Sequence, residues 1–276
     1  MLDYVLHHPG RALRALITDP AGLWDTLQDK IVEKREYARQ QPQYAADPEW
    51  ERHLHQALGV PMPCHATAEF AARWRLAVGA VRAKGIDVGP MSFHGYNDGD
   101  AALVRAVWCL VHHLRPAYVV ETGVAHGFTS RFILEALNWN NDGELFSIDL
   151  PPLDSEMKKL IGIAVDESLR ERWTLIEGSS RRFLPDLLKE LGGIDLFVHD
   201  SRHTERNVRF ELDQAWKYLR PGGALVVDDI DSNWGFESFR KAHPGHPTFV
   251  CDAEPVRADP RRFNQKGQFG IILKAG

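Results

Sequence analysis

The chain has 276 residues, 44% of them hydrophobic, enough for one large core or for one core with a helical appendage. A formal net charge of −5 argues against nucleic acid as a partner, and no apolar run approaches the roughly 20 residues of a membrane span. Three scattered cysteines, Cys64, Cys109 and Cys251, provide neither a disulfide framework nor a CxxC metal knuckle. Because MLDYVLHHPGR also lacks the apolar stretch of a signal peptide, the expectation is a soluble protein of the reducing cytoplasm.

Residues 1 to about 60 are polar and helix-prone, with QDKIVEKREYARQ the clearest helical piece and prolines at 20, 42, 48, 61 and 63 as punctuation. In ATAEFAARWRLAVGAVRAKG, Phe70, Trp74, Ala77 and Val81 share one helical stripe, which suits a helix on the core, a lid or a dimer contact. Residues 1–95 therefore read as an N-terminal helical extension or lid. The loop GPMSFHGYNDGD is expected to expose Phe93, His94, Tyr96 and Asn97. A helix follows in DAALVRAVWCLVHHLRP, where Leu103, Ala106, Val107, Leu110, Val111 and Leu114 repeat at three and four and Pro116 ends it. The pair His112–His113 complements the helix C-terminus rather than forming a metal site.

The segment VVETGVAHGFTS, residues 119–130, organises the rest. Tyr118-Val119-Val120 reads as a buried parallel strand; Glu121, Gly123, Ala125 and Gly127 alternate through a tight turn; Phe128 to Leu137 takes helical spacing. Backbone N–H groups at such a helix N-terminus suit an anionic or nucleotide-like ligand. Asp149, 26 residues after Gly123, ends the next strand in LFSIDLPP, where it can accept both ribose hydroxyls of a nucleoside. Further strands are expected at 144–148, 173–177, 194–199 and 223–228, with helices near 127–138, 181–191 and 205–219. This alternation predicts a doubly wound α/β fold with a mostly parallel sheet. TFVC and QFGIILKAG would supply a terminal pair of strands.

Asp200 follows the strand IDLFVH, and Asp228 and Asp229 follow GALVVD, so all three carboxylates should converge at the carboxyl edge of the sheet. They would repel one another unless hydrogen bonds or a hard divalent cation such as Mg²⁺ compensate. The plainer alternative is that Asp200 caps a helix and one of the tandem acids binds backbone amides. His203, three residues after Asp200, has the pKa range of a base that takes a proton from a hydroxyl; its plainer role is a hydrogen bond to a loop.

Taken in order, VVETGVAHGFTS, LFSIDLPP, IDLFVHDSRHT and LRPGGALVVDDID resemble the class I S-adenosylmethionine-dependent methyltransferases. Over roughly residues 95 to 276 the likeness is greatest to the O-methyltransferase-like (type 24) and metal-dependent sugar and macrolide O-methyltransferase groups. The resemblance implies a seven-stranded Rossmann-like sheet with an antiparallel last strand over residues 96–276. It implies S-adenosylmethionine held at Glu121, Thr122, Gly123, Ala125, Gly127, Thr129, Ser130, Asp149, Leu150, Gly178, Ser179 and Asp200. It also implies Mg²⁺ or another divalent cation on Asp200, Asp228 and Asp229, with His203 as the catalytic base. The acceptor would be a hydroxyl of a small molecule, sugar-bearing or another natural product, and the N-terminal helices would suit a homo-oligomer. Three departures stand out: Ala125 replaces a common glycine, His126 replaces a small residue and is expected to face solvent, and Arg202 stands where relatives carry an acid. A metal-independent methyltransferase, an NAD-type oxidoreductase and a non-catalytic binding protein are the rivals; the late DDI acids and the C-terminal strands disfavour the oxidoreductase.

Overall fold

A computed structural model describes residues 32, 35–36, 39–93, 96–152, 154–257 and 267–276. Most of the expected helix in QDKIVEKREYARQ, and His94 of the glycine-rich loop, lie outside the described residues.

Seven strands form one sheet in the order β3-β2-β1-β4-β5-β7-β6. They are β1 (Tyr118–Thr122), β2 (Glu144–Asp149), β3 (Trp173–Glu177), β4 (Ile194–His199), β5 (Leu219–Val227), β6 (Thr248–Asp252) and β7 (Gln268–Leu273). The first five are parallel, and β7 runs antiparallel to both β5 and β6, so the doubly wound sheet with an antiparallel last strand is what forms. β5 begins four residues earlier than expected, because the exposed Arg220-Pro221-Gly222 segment stays extended past a register shift between Ile194 and Leu196.

Side chains alternate across the sheet as the pleat requires. Val119, Leu196, Val198, Ala224 and Val226 enter one core, and Val120, Phe197, Leu225 and Val227 enter the other. The first core is covered by α1 (Trp50–Ala57), α2 (His65–Ala83), α3 (Ala101–Leu114) and α4 (Phe128–Asn140). The second is covered by α5 (Ser180–Leu191), α6 (Glu205–Tyr218) and α7 (Gly235–Ala242). Each fully enclosed residue, such as Phe197, contributes about 2–3 kcal/mol of burial.

The stripe of α2 is a core stripe. Phe70, Ala77 and Val81 are buried, and the half-buried Trp74 packs against Phe128 and Phe132 at 5.4 and 5.8 Å. The Trp108 indole N–H bonds the Ala66 carbonyl at 2.9 Å, tying α2 to α3. α3 starts where Asp100 Oδ1 accepts the Ala102 N–H, and it ends at Arg115, whose positive φ of 47° turns the chain before Pro116. Among the described residues no helix is long and apolar enough to cross a membrane.

Candidate active site

Strand order reverses between β1 and β4, and the carboxyl ends of both open onto one edge, the place where open α/β sheets bind ligands. The two exits are locked together. Asp200 N–H bonds the Thr122 carbonyl at 2.8 Å, and Gly123 N–H bonds the Ile148 carbonyl at 2.9 Å. Gly123 has φ +85°, and a Cβ there would fall 2.0 Å from the Asp200 carbonyl oxygen. Only glycine permits that approach. The turn stays left-handed at Ala125 (φ 49°) and at Gly127, the N-cap position of α4 (φ 85°), so Ala125 occupies a conformation that ordinarily favours glycine.

Asp149, at the end of β2, is half-buried, and its Oδ2 accepts the Val124 N–H at 3.2 Å. Burial outweighs the hydrogen bonds from the Ala125 and Val124 amides and pushes its pKa up to about 6. Gly178 N–H bonds the Asp149 carbonyl at 2.7 Å, which sets the turn after β3 beside this acid. In that turn Ser179 is buried at the N-cap position of α5 without a capping bond from its side chain. Leu150 is half-buried beside it, and Thr129 lies buried in the first turn of α4.

Several side chains expected at the ligand turn face inward instead. Glu121 Oε2 accepts the hydroxyls of Ser130 and Ser147 at 2.6 and 2.7 Å, and Thr122 donates its hydroxyl to Glu211 at 2.6 Å. Glu121, Thr122 and Ser130 are fully enclosed, so their side chains hold the turn together. His126 does not face solvent either. It is fully buried, with Nδ1 2.5 Å from Asp98 Oδ2 and its ring edge-on to Phe93 at 5.0 Å. Phe93, expected exposed, is buried for the same reason, whereas Tyr96 and Asn97 are exposed.

Across the edge, Asp200, His203 and Asp228 bring their ligand atoms within 4.8 Å of one another. His203 Nε2 lies 3.6 Å from Asp200 Oδ1 and 4.0 Å from Asp228 Oδ2, and it is buried with no hydrogen-bond partner. Those separations are too long for hydrogen bonds and short enough for one cation to contact all three groups. Asp229 is placed differently: its Oδ2 is 3.2 Å from His203 Nδ1, on the far side of the ring. The two adjacent acids diverge because Asp229 itself has φ 47°. Burial opposes a charged imidazole at His203, but Asp200, Asp229 and Asp228 outweigh it and push the pKa up. Burial and the neighbouring carboxylates of Asp229 and Asp200 likewise push Asp228 up.

Residues 120–230 match a family described as "Methyltransferase domain". The chain is similar to that family over 111 of its 276 residues. Its fold is shared with a Klebsiella pneumoniae protein assigned as an O-methyltransferase (16% identity, TM-score 0.53, 82% of this chain and 96% of that one). It is shared also with an O-methyltransferase from Bacillus cereus in complex with SAH (14% identity, TM-score 0.51, 80% and 97%). No curated protein matches the sequence significantly.

The same sheet edge also contains a hub that the motifs do not reveal. Glu211 of α6 is fully enclosed, and its carboxylate accepts from Thr122, Ser201 and Asn207 while contacting His199. The signal available in sequence is an acid at the centre of the apolar stripe Val208, Leu212, Ala215. A charge there needs partners, and the ends of β1 and β4 supply them.

Proposed function

We propose that this chain is an S-adenosylmethionine-dependent O-methyltransferase acting on a hydroxyl of a small molecule, sugar-bearing or another natural product, in the cytoplasm. One observation carries the reading: the buried, partnerless Nε2 of His203 faces Asp200 and Asp228 across the same sheet edge that holds the glycine turn and Asp149. The N–H groups of the Gly123–Gly127 turn and the α4 N-terminus would meet the methionyl end of the cofactor, Asp149 its ribose, and Gly178–Ser179 its adenine.

Methyl transfer from a sulfonium is an in-line displacement, so positioning supplies most of the rate. Asp229 accepts the Nδ1 proton of His203 and fixes the tautomer that leaves Nε2 to take the acceptor's proton. The donor set fits a divalent cation, because two carboxylates and an orphaned imidazole nitrogen converge without one another's hydrogen bonds. Asp200 and Asp228 would hold Mg²⁺, whose charge would lower the pKa of both His203 and a bound hydroxyl. The spacing also favours a second reading in which His203 is a third ligand; Mn²⁺ titration of His203→Ala separates them, retained affinity marking a base and lost affinity a ligand.

The extension over residues 1–95 serves as a lid that shapes the acceptor pocket. Phe93, near the end of this segment, supports this by packing edge-on against His126 within the cofactor turn, the same ring that Asp98 holds just beyond it.

Calorimetry with S-adenosylhomocysteine and with NAD⁺ tests the cofactor. The expected result is S-adenosylhomocysteine binding that Asp149→Ala weakens roughly 10- to 100-fold, and no NAD⁺ binding. Binding of NAD⁺ alone would replace the methyltransferase by an oxidoreductase.

A further inference from the structure

Within the first core, α1, α2 and α3 meet around sulfur and imidazole. His55 lies in α1, Cys64 immediately precedes α2, and Cys109 lies in α3; all three are buried. Their ligand atoms fall within 4.8 Å of one another, and His55 Nε2 is 3.2 Å from Cys64 Sγ. His113, one turn beyond Cys109, sets its ring edge-on to His55 at 5.3 Å and has a buried Nε2 with no partner.

We infer that His55, Cys64, Cys109 and His113 form a tetrahedral zinc site that fastens the N-terminal helices to α3. Two thiolates and two imidazoles are a soft donor set that selects zinc over Mg²⁺. A tetrahedral zinc ion sets such ligand atoms roughly 3.5–3.8 Å apart, so the atoms of His55, Cys64 and Cys109, within 4.8 Å of one another, would close on the ion and His113 would turn in from its place beside His55. Two thiolates cancel the charge of the dication, which is what a site removed from water needs.

The surroundings are built for coordination. His55 Nδ1 lies 2.6 Å from the Glu51 carbonyl, a bond that fixes the proton on Nδ1 and leaves the Nε2 lone pair facing sulfur. Thr67 N–H points at Cys64 Sγ at 3.4 Å, the contact that steadies a metal thiolate. Capping alone does not explain the cysteine, since serine, threonine or aspartate is the stronger N-cap. Nor does packing alone favour an enclosed imidazole at a junction of helices. A surface cleft of about 330 Å³ is lined by His113, one of the proposed ligands, together with His65 and His112 among others. The histidine pair near the end of α3 is thus split, with only His113 turned to this role.

Metal analysis of the full chain, purified reduced and without chelators, tests the site. Plasma mass spectrometry should find one zinc per chain, and exchange with cobalt should give the intense visible bands of a tetrahedral ion with thiolate charge transfer in the near ultraviolet. Cys64→Ser and Cys109→Ala should lose the zinc, while Asp228→Asn, at the other cluster, should keep it. If either cysteine variant fails to fold, the cobalt spectrum of the unaltered protein decides alone. A reduced protein that contains no zinc and takes up no cobalt would overturn the site, as would full zinc retention in both folded cysteine variants. A Cys64–Cys109 disulfide in place of metal would overturn it equally.

Discussion

Glu211 Oε2 lies 2.5 Å from His199 Nδ1, and both side chains are wholly enclosed between α6 and the exit of β4. The same carboxylate takes the hydroxyls of Thr122 and Ser201, so one group on a helix fixes the ends of the two strands from which Gly123 and Asp200 emerge. Burial alone would raise its pKa, but His199 and the hydroxyl donors outweigh burial and hold it at about 2.

A depressed carboxyl pKa stabilises the fold above its ordinary value of 4.5, and that stability is lost as pH falls toward 2. Glu211→Gln should therefore cost about 3–5 kcal/mol at neutral pH, because it leaves the histidine and three donors facing the wrong partner. Urea unfolding should also show that the variant loses less stability than the parent between pH 4.5 and 2. A variant as stable as the parent at pH 7 would remove Glu211 from its place as the hub.

Glu121 behaves in the opposite sense. Burial pushes its pKa up to about 8, more than the Ser130 and Ser147 hydroxyls pull it down, and its Oε1 has no partner. The folded state then holds a proton that the unfolded state has released between pH 4.5 and about 8, so stability falls as pH rises through that window. Glu121→Gln should flatten the slope, which is at most about 1.4 kcal/mol per pH unit, and should gain on the parent as pH approaches 8. Melting temperatures measured in parallel from pH 5 to 8 would reveal it. Parallel curves for the two proteins would mean that Glu121 is ionised in the fold.

Gly123→Ala places a methyl group 2.0 Å from the Asp200 carbonyl and forces an L side chain to φ +85°. The strand exits must part, at a cost of roughly 3 kcal/mol or more. S-adenosylhomocysteine affinity measured by calorimetry should collapse, whereas Gly192→Ala, at a positive φ with open space around it, should lower stability without lowering affinity.

The sheet was legible because its strands are continuous apolar runs bounded by turns: β3 and β4 fall on the expected residues. β5 runs past Pro221 and Gly222, residues that break a strand in mid-sheet but sit here at an exposed end where a missing ladder bond costs little. At the candidate site, two of the three carboxylates expected at the strand ends, Asp200 and Asp228, come together, with His203 rather than Asp229 as the third group. What spacing could not convey was direction. Adjacent Asp228 and Asp229 part company through one positive φ, and His126 turns inward because Asp98, 28 residues away, receives it. The cysteine–histidine cluster was hidden for the same reason, since Cys64 and Cys109 stand 45 residues apart and meet only when α2 packs on α3.

The placement of Asp229 leads to the last prediction. A ligand and a positioning group differ in what their loss removes. Asp200→Asn and Asp228→Asn each take a charged oxygen from the cation cluster and should abolish Mn²⁺ binding followed by electron paramagnetic resonance. Asp229 lies against Nδ1 of His203, so Asp229→Asn should leave Mn²⁺ and S-adenosylhomocysteine affinity intact. It should instead lower kcat with an unchanged acceptor KM, by roughly 10²–10⁴-fold, because an amide no longer enforces the tautomer that presents a basic Nε2. His203→Ala should cost a similar factor, and the double variant little more than either alone, as expected for two residues acting as one unit. Additive losses in that cycle would separate the pair, and loss of Mn²⁺ with Asp229→Asn would return this acid to the metal.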